Sequence, residues 1–125
     1  MISYNVEDVK GNPGCRGNLF VTNLRILWQL ASDHFVNVSF GWDTITSVSI
    51  KTLPVGGGNY FKHLLSVKTQ NLYQNRYEFK FMGFCDEDLK IFERIVQIQK
   101  MTSETKVYRM VNLATKCDPH YDTLE

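Results

Sequence analysis

The sequence predicts a mainly β domain of the α+β class: a bent antiparallel sheet or partial barrel of about seven strands, capped by a C-terminal amphipathic helix. Two observations lead to this fold class. As far as Phe81, apolar and polar residues alternate in short runs separated by turn residues, which is the period of half-buried strands. After Phe84 the apolar spacing changes to three and four residues, which is the period of a helix. Strands followed by a helix disfavour a nucleotide-binding fold, in which the two alternate.

The first strands are separated by clear turn signals. Residues 3–9 predict a strand, and residues 10–14 (KGNPG) are dense in turn residues. Residues 17–30 (GNLFVTNLRILWQL) predict two strands that meet at Thr22-Asn23, with Leu24, Ile26, Trp28 and Leu30 on one face. Arg25 falls on the opposite face, where it serves either a ligand or the sheet itself.

The remaining strands follow the same alternation. Residues 31–34 predict a turn, and residues 36–42 a strand that places Trp42 on an inward face. Asp43-Thr44 interrupts the pattern before a strand that includes Val48 and Ile50. Pro54 and residues 56–58 (GGG) predict a flexible hairpin loop, and two further strands are expected around residues 65–67 and 77–81.

The helix is expected to begin at Asp86, which is a suitable N-cap, and to end near Lys100. Its apolar stripe is Leu89, Phe92, Ile95, Val96 and Gln99, widened by Ile91 and Ile98. Ser103 is placed to cap a further helical turn with Val107, Met110, Val111 and Ala114 on one side. We expect one domain over residues 1–116 and a C-terminal tail over residues 117–125.

Composition excludes several classes of protein. The chain has 125 residues and a net charge of +1, so no global field attracts it to nucleic acid or to a membrane, and any anion site would have to be a local cluster. Its three cysteines form no CxxC pair, which favours reduced thiols in the cytosol. The three histidines stand at no catalytic motif spacing, and the glycine run lacks the ending of a P-loop. We therefore expect no catalytic residue, no metal site and no cofactor.

A resemblance to a known family rests on residues 6–28, VEDVKGNPGCRGNLFVTNLRILW, with FVNVSFGWDTI, RYEFKF and TSETKVYR further along. These segments resemble the first PH-like repeat of the Bardet–Biedl syndrome protein five family, the fifth subunits of the BBSome coat of cilia. The shorter pattern Gly-x-Leu-x-x-Thr-x-x-Arg-Ile-x-Trp recurs in the wider GRAM, GLUE and PH-like group. Its residues here form a structural motif: Gly17, Thr22, Asn23, Arg25 and Trp28.

The resemblance implies a non-enzymatic PH-like module that acts through protein–protein contacts as a subunit of a ciliary membrane-trafficking coat. Its partners would be other coat subunits and a phosphoinositide membrane, not nucleic acid. The module would be cytoplasmic, at the cilium or basal body, and peripheral to the membrane. The alternative is a stand-alone phosphoinositide-binding domain that targets membranes.

A phosphoinositide site is expected at Lys10, Arg16, Lys51 and Lys62, because hairpin ends of PH-like folds gather at one rim. Solvated surface residues are the favoured explanation of the same cations, since 14 basic residues must be placed and most of them face solvent. Asn18 stands where the inositide fingerprint of PH domains has a second basic residue. For Arg25, packing of its stem over the sheet and pairing with a neighbouring carboxylate or carbonyl is the favoured role.

Overall fold

Seven strands and one helix make up the described part of the chain, which is residues 1–58, 60–84 and 88–111 of a computed structural model; the side chains of residue 60 and residues 105–111 are not included. The elements are β1 (Ile2–Asp8), β2 (Asn12–Val21), β3 (Arg25–Leu30), β4 (Asn37–Gly41), β5 (Ile45–Val55), β6 (Tyr60–Gln70), β7 (Arg76–Phe84) and α1 (Leu89–Val111). The strands form one sheet in the order β4-β3-β2-β1-β7-β6-β5, and their pairings are antiparallel. The predicted fold class is confirmed.

The sheet bends until its two halves face each other. In the sheet order, β4 and β7 are four strand positions apart, which would separate them by about 19 Å in a flat sheet. Nevertheless, the Phe40 ring on β4 stacks on the Phe79 ring of β7 with centroids 4.8 Å apart, and its centroid lies 6.2 Å from that of Phe81. The apolar residues of both halves therefore share one core.

Two tryptophans anchor this core, as their inward alternation predicts. Trp28 is fully buried and Trp42 almost so. Each satisfies its indole N–H on a backbone carbonyl: Trp28 Nε1 donates to the oxygen of Val6, and Trp42 Nε1 donates to the oxygen of Thr22, both at 2.9 Å. The polar edge of each ring is therefore paired while its apolar area is buried.

The helix α1 packs its apolar stripe against the β5 side of the sheet. Ile91, Phe92, Ile95 and Ile98 are buried, at the spacing that one helix face requires. The Phe92 ring meets the Phe84 ring edge-on at 4.8 Å, which fixes the start of the helix over the end of β7. Among the described residues, no helix is long and apolar enough to cross a membrane.

Several details differ from the sequence prediction. Leu89 and Val96, assigned to the buried stripe, are 43% and 45% exposed, because the helix turns its Ile91–Ile95–Ile98 side to the sheet instead. Pro54 lies in β5 rather than in a loop, which β5 tolerates because it is the last strand of the sheet. The helix continues without interruption through Val111. The predicted N-cap Asp86, and Ala114, lie outside the described residues.

Candidate functional site

The turn between β1 and β2 is built by a buried carboxylate. Asp8 is fully buried, and its side chain accepts hydrogen bonds from the Gly11 backbone N–H (3.2 Å) and from Asn12 Nδ2 (3.0 Å). A Cβ at residue 11 would lie 2.5 Å from Asp8 Oδ2, so glycine is needed where the chain passes the carboxylate. The Asp-x-Lys-Gly-Asn run thus fixes a tight turn with Lys10 exposed at its tip.

Cations from three strands share the outer face of the sheet, the face turned away from the core. Residues opposite each other in an antiparallel pair lie on one face, as do alternate residues of one strand. Lys51 lies opposite Leu64, and Ser66, two residues further along β6, lies opposite Lys80 on β7. Together with Lys10 from the first turn, these cations are called the basic face: Lys10, Lys51, Lys62, Lys68, Arg76 and Lys80.

Two neighbouring cavities open on the basic face. The larger, about 690 Å³, is lined by Lys10, Lys68 and Arg76 together with Gln70, Tyr77 and Glu78. The smaller, about 230 Å³, is lined by Lys51, Lys68 and Lys80 together with Ser49, Ser66 and Glu78. Lys68 and Glu78 line both cavities, which makes the two openings parts of one continuous polar surface.

The pKa of the Glu78 carboxyl is affected by the cations of this surface. Desolvation by itself raises the pKa of the Glu78 carboxyl, but the positive charge of Lys80, its hydrogen bond, and the charges of Lys10 and Lys68 together lower that pKa below its ordinary value of 4.5. Lys80 Nζ lies 3.5 Å from Glu78 Oε1. The carboxylate therefore stays ionised among several cations, and the surface as a whole attracts anions.

The structure brings some of the four predicted phosphoinositide residues together and separates others. Lys10 and Lys51 each line one of the two adjoining cavities. Lys62 lies on the same outer face as Lys51, opposite Leu53, but lines neither cavity.

Arg16 lines neither of the two cavities. It lies on β2, four strand positions from β5, a distance of about 19 Å measured across the sheet. Its Nη1 donates to the backbone oxygen of Asn5 at 3.2 Å, so the guanidinium supports the irregular part of β1, where Asn5 has a φ of 57°. A Cβ on Gly83 would stand 2.5 Å from the same Nη1, so the guanidinium extends across β1 to β7.

The sequence prediction did not assign Lys68, Arg76, Glu78 or Lys80 to a site. The alternation in residues 68–80 (KTQNLYQNRYEFK) does place Lys68, Arg76, Glu78 and Lys80 on one side of their strands. The register of the hairpin, with Lys68 opposite Glu78 and Ser66 opposite Lys80, is what brings them together. That register was not assigned from the sequence.

The residues of the structural motif have distinct positions in the fold. Thr22 Oγ1 accepts the backbone N–H groups of Leu24 and Arg25 at 3.2 and 3.0 Å and donates to the Arg25 oxygen at 3.2 Å, which closes the turn through Asn23. Arg25 is partly buried on the outer face, opposite Gly41 on β4. Gly17 is buried directly against the Trp28 ring.

A bent sheet of seven antiparallel strands, followed by a helix packed on its open side, defines a PH-like domain. The family model of the Bardet-Biedl syndrome 5 protein N-terminal PH-like domain matches residues 1–104, which include all seven strands and most of α1. The chain belongs to this family.

Relatives from distant animals carry the same similarity. The BBSome complex member BBS5 of Homo sapiens is 33% identical over 110 residues, which cover 83% of this chain and 30% of the relative. The Danio rerio protein of the same name is 32% identical over 110 residues, covering 86% of this chain and 31% of the relative. BBSome complex member bbs-5 of Caenorhabditis elegans is 32% identical over 114 residues, with the same coverage. The chain therefore spans about 30% of the length of these relatives.

Proposed function

We propose that this chain is a non-enzymatic PH-like module that acts as a subunit of a BBSome-like ciliary membrane-trafficking coat. The observation that carries the proposal is the family match over residues 1–104, because it includes the whole bent sheet rather than one motif. The relatives named as BBSome complex members support the same role. The module works at the cytoplasmic side of the cilium or basal body, where it is peripheral to the membrane.

Coat contacts are assigned to the edges and outward faces of the sheet. In the sheet order β4 and β5 are the terminal strands, so one side of each is open to pairing or side-chain contact. Beside β5, an apolar cavity of about 400 Å³ is lined by Ile50, Phe92 and Val96, with Glu93 and Gln97 at its rim. Phe61, at the start of β6, is 60% exposed and lies opposite Pro54, near the end of β5.

The test is purification of the tagged chain from ciliated cells, with identification of the copurifying proteins by mass spectrometry. We expect other BBSome subunits in constant proportion to the bait. The negative control is Gly17→Val, whose side chain would crowd the Trp28 ring; it should unfold the sheet and abolish recovery of those subunits. A folded, well-expressed chain that recovers none of them contradicts the proposal.

The second candidate function is a stand-alone phosphoinositide-binding domain that targets membranes. The specific observation in its favour is the pair of adjoining cavities on the basic face, lined by Lys10 and Lys51 and joined at Lys68. Cations that converge on one polar surface hold phosphate groups through charge-assisted hydrogen bonds. Arg16 and Lys62, the other two residues expected at such a site, line neither cavity.

Flotation with phosphatidylcholine vesicles, with and without each phosphoinositide, tests the second candidate. The double variant Lys10→Ala/Lys51→Ala is compared with Arg16→Ala/Lys62→Ala, which removes the same charge from positions outside the two cavities. If the two cavities bind phosphoinositides, the first variant loses binding and the second retains most of it. Equal losses from both variants indicate a general charge effect. The absence of binding by the parent chain excludes a phosphoinositide-binding function.

A further inference from the structure

The turn between β6 and β7 is a structured tip, defined here as residues 71–75 (NLYQN). The Asn71 side-chain oxygen accepts the backbone N–H groups of Tyr73 and Asn75, both at 3.0 Å. Two backbone hydrogen bonds between Asn71 and its partners Asn75 and Gln74 close the same turn at 3.0 Å. Gln74 adopts the left-handed conformation that the reversal requires, with a φ of 65°. The tip thus holds its apex in one defined conformation.

This tip presents two large apolar side chains to solvent. Leu72 is 99% exposed and Tyr73 is 85% exposed. Turn positions are ordinarily occupied by glycine, asparagine, aspartate or serine, which lose nothing by full hydration. A single exposed apolar residue is common, but two adjacent ones at the apex of a hydrogen-bonded turn form a small projecting apolar point.

Positive charge surrounds the base of the tip. Residues 68–77 (KTQNLYQNRY) include Lys68 and Arg76 and contain no aspartate or glutamate. Directly below the tip, Lys10, Lys68 and Arg76 line the larger cavity of the basic face together with Gln70 and Tyr77, and Gln70 and Arg76 form the strand pair next to the tip. Glu78 also lines this cavity, and although desolvation raises the pKa of its carboxyl, Lys80, Lys10 and Lys68 together lower that pKa.

An apolar point beside a cluster of cations on one face of the sheet is complementary to one kind of surface, the interface of an anionic bilayer. We propose that the β6–β7 tip inserts Leu72 and Tyr73 between lipid headgroups while Lys10, Lys68 and Arg76 contact the acidic headgroups around it. Leucine provides the apolar area, and tyrosine suits the interface because its ring is apolar and its hydroxyl remains hydrated. The inference goes beyond the coat role, and it requires no particular inositol phosphate.

Vesicle flotation of the full 125-residue chain tests the contribution of the tip. The lipids are pure phosphatidylcholine and an equal mixture of phosphatidylcholine and phosphatidylserine. We expect binding to the mixture alone, with Leu72→Ser/Tyr73→Ser weakening it by about tenfold or more, as the loss of one buried leucine predicts. Replacing Lys68 or Arg76 by glutamine should weaken binding by about fivefold each. The matched control is Phe35→Ser, because Phe35 is 97% exposed on a different turn and lies outside the proposed contact.

Fluorescence measures insertion directly. Trp28 and Trp42 are buried, so lipids brominated in the acyl chain should leave the emission of the parent chain unchanged. In Tyr73→Trp the new indole should be quenched by lipids brominated near the headgroup when the vesicles contain phosphatidylserine. Quenching in that variant, with none in the parent chain, supports insertion.

Three results would each overturn the proposal: no binding to the mixed vesicles, full binding by the double serine variant, or a bound Tyr73→Trp variant that is not quenched. The first or second result, combined with loss of coat subunits by the double serine variant, would assign the tip to a protein partner instead. Recovery of coat subunits by the parent chain is measured separately. Failure of insertion therefore leaves the coat role standing, and failure of the coat role leaves insertion standing.

Discussion

Replacement of Gly17 by alanine tests how closely β2 approaches the core. Gly17 lies opposite Leu30 on β3, and a Cβ there would stand 2.7 and 2.8 Å from Cε2 and Cζ2 of the Trp28 ring, as well as against the Gln29 carbonyl oxygen. Real Cβ atoms essentially never approach so closely, so a neighbour must move. Neither neighbour is free to do so, since one is backbone and the other is a fully buried indole bonded to the Val6 oxygen.

The expected loss follows from overpacking. Forcing one extra carbon into a well-packed core costs about 1–3 kcal/mol, and the contact with backbone places Gly17→Ala near the upper end, at about 3 kcal/mol. For a domain of this size that loss lowers the Tm by about 10 °C. A smaller ring should relieve part of the strain, so Gly17→Ala and Trp28→Phe should be less than additive when combined.

Urea unfolding and thermal melts followed by circular dichroism measure both quantities. Asn18→Ala is the matched control, because Asn18 is the next residue of β2 and faces outward. The reasoning is refuted if Gly17→Ala lies within about 0.5 kcal/mol of the parent chain, which is the range of ordinary surface substitutions. Strict additivity of Gly17→Ala and Trp28→Phe would show that the ring is not the neighbour that resists the new carbon.

Three further predictions concern the core, the outer face and the charge on the basic face. Trp28→Ala should lower the unfolding free energy by about 3–5 kcal/mol, since it leaves a cavity and an unpaired Val6 carbonyl; a urea titration showing a loss under about 1 kcal/mol would contradict this placement. Arg25→Ala should lower the Tm by about 3–6 °C and leave vesicle flotation unchanged, because Arg25 supports the sheet. An unchanged Tm with lost lipid binding would show that Arg25 serves a ligand instead. The pKa of Glu78 is lowered in the folded state, so its stabilising effect is complete above its unfolded pKa, near 4.5, and is lost as the pH falls through the folded value. Glu78→Gln should therefore flatten the acid side of the stability–pH profile. It should also strengthen flotation with anionic vesicles by about fivefold, because one negative charge is removed. If urea titrations show the same loss of stability at low pH as in the parent chain, the charge cluster is contradicted.

Most of the candidate surface depends on information that a single sequence does not carry. Lys10 was predictable because Asp8, Gly11 and Asn12 form a local turn that exposes it. Lys51 and Arg16 appeared equally suitable, since both are basic and lie near predicted hairpin ends. The sheet order places their strands four positions apart, and it places Lys51 near Lys68 and Lys80, which come from other strands.

The apolar stripe of α1 shows the same limit on a smaller scale. The three- and four-residue spacing predicted the helix, but it also admitted Leu89 and Val96 to the buried side. In the structure, Phe84 and the β5 side of the sheet contact the face that carries Phe92 and Ile95, so the other two remain largely exposed. A broad apolar stripe is enough to predict a helix, but it does not predict which edge of the stripe is buried.

The amino-acid sequence alone determined the strands, the helix, their order and the inward placement of Trp28 and Trp42, because these follow from periodicities of two and of about 3.6 residues along neighbouring positions. The tertiary structure alone decided the bend that stacks Phe40 on Phe79, the hairpin registers, and the convergence of Lys10, Lys51, Lys68 and Lys80 on one face. These features depend on which distant strands pair and in what register, and a shift of one residue would turn every side chain of a strand to the opposite face.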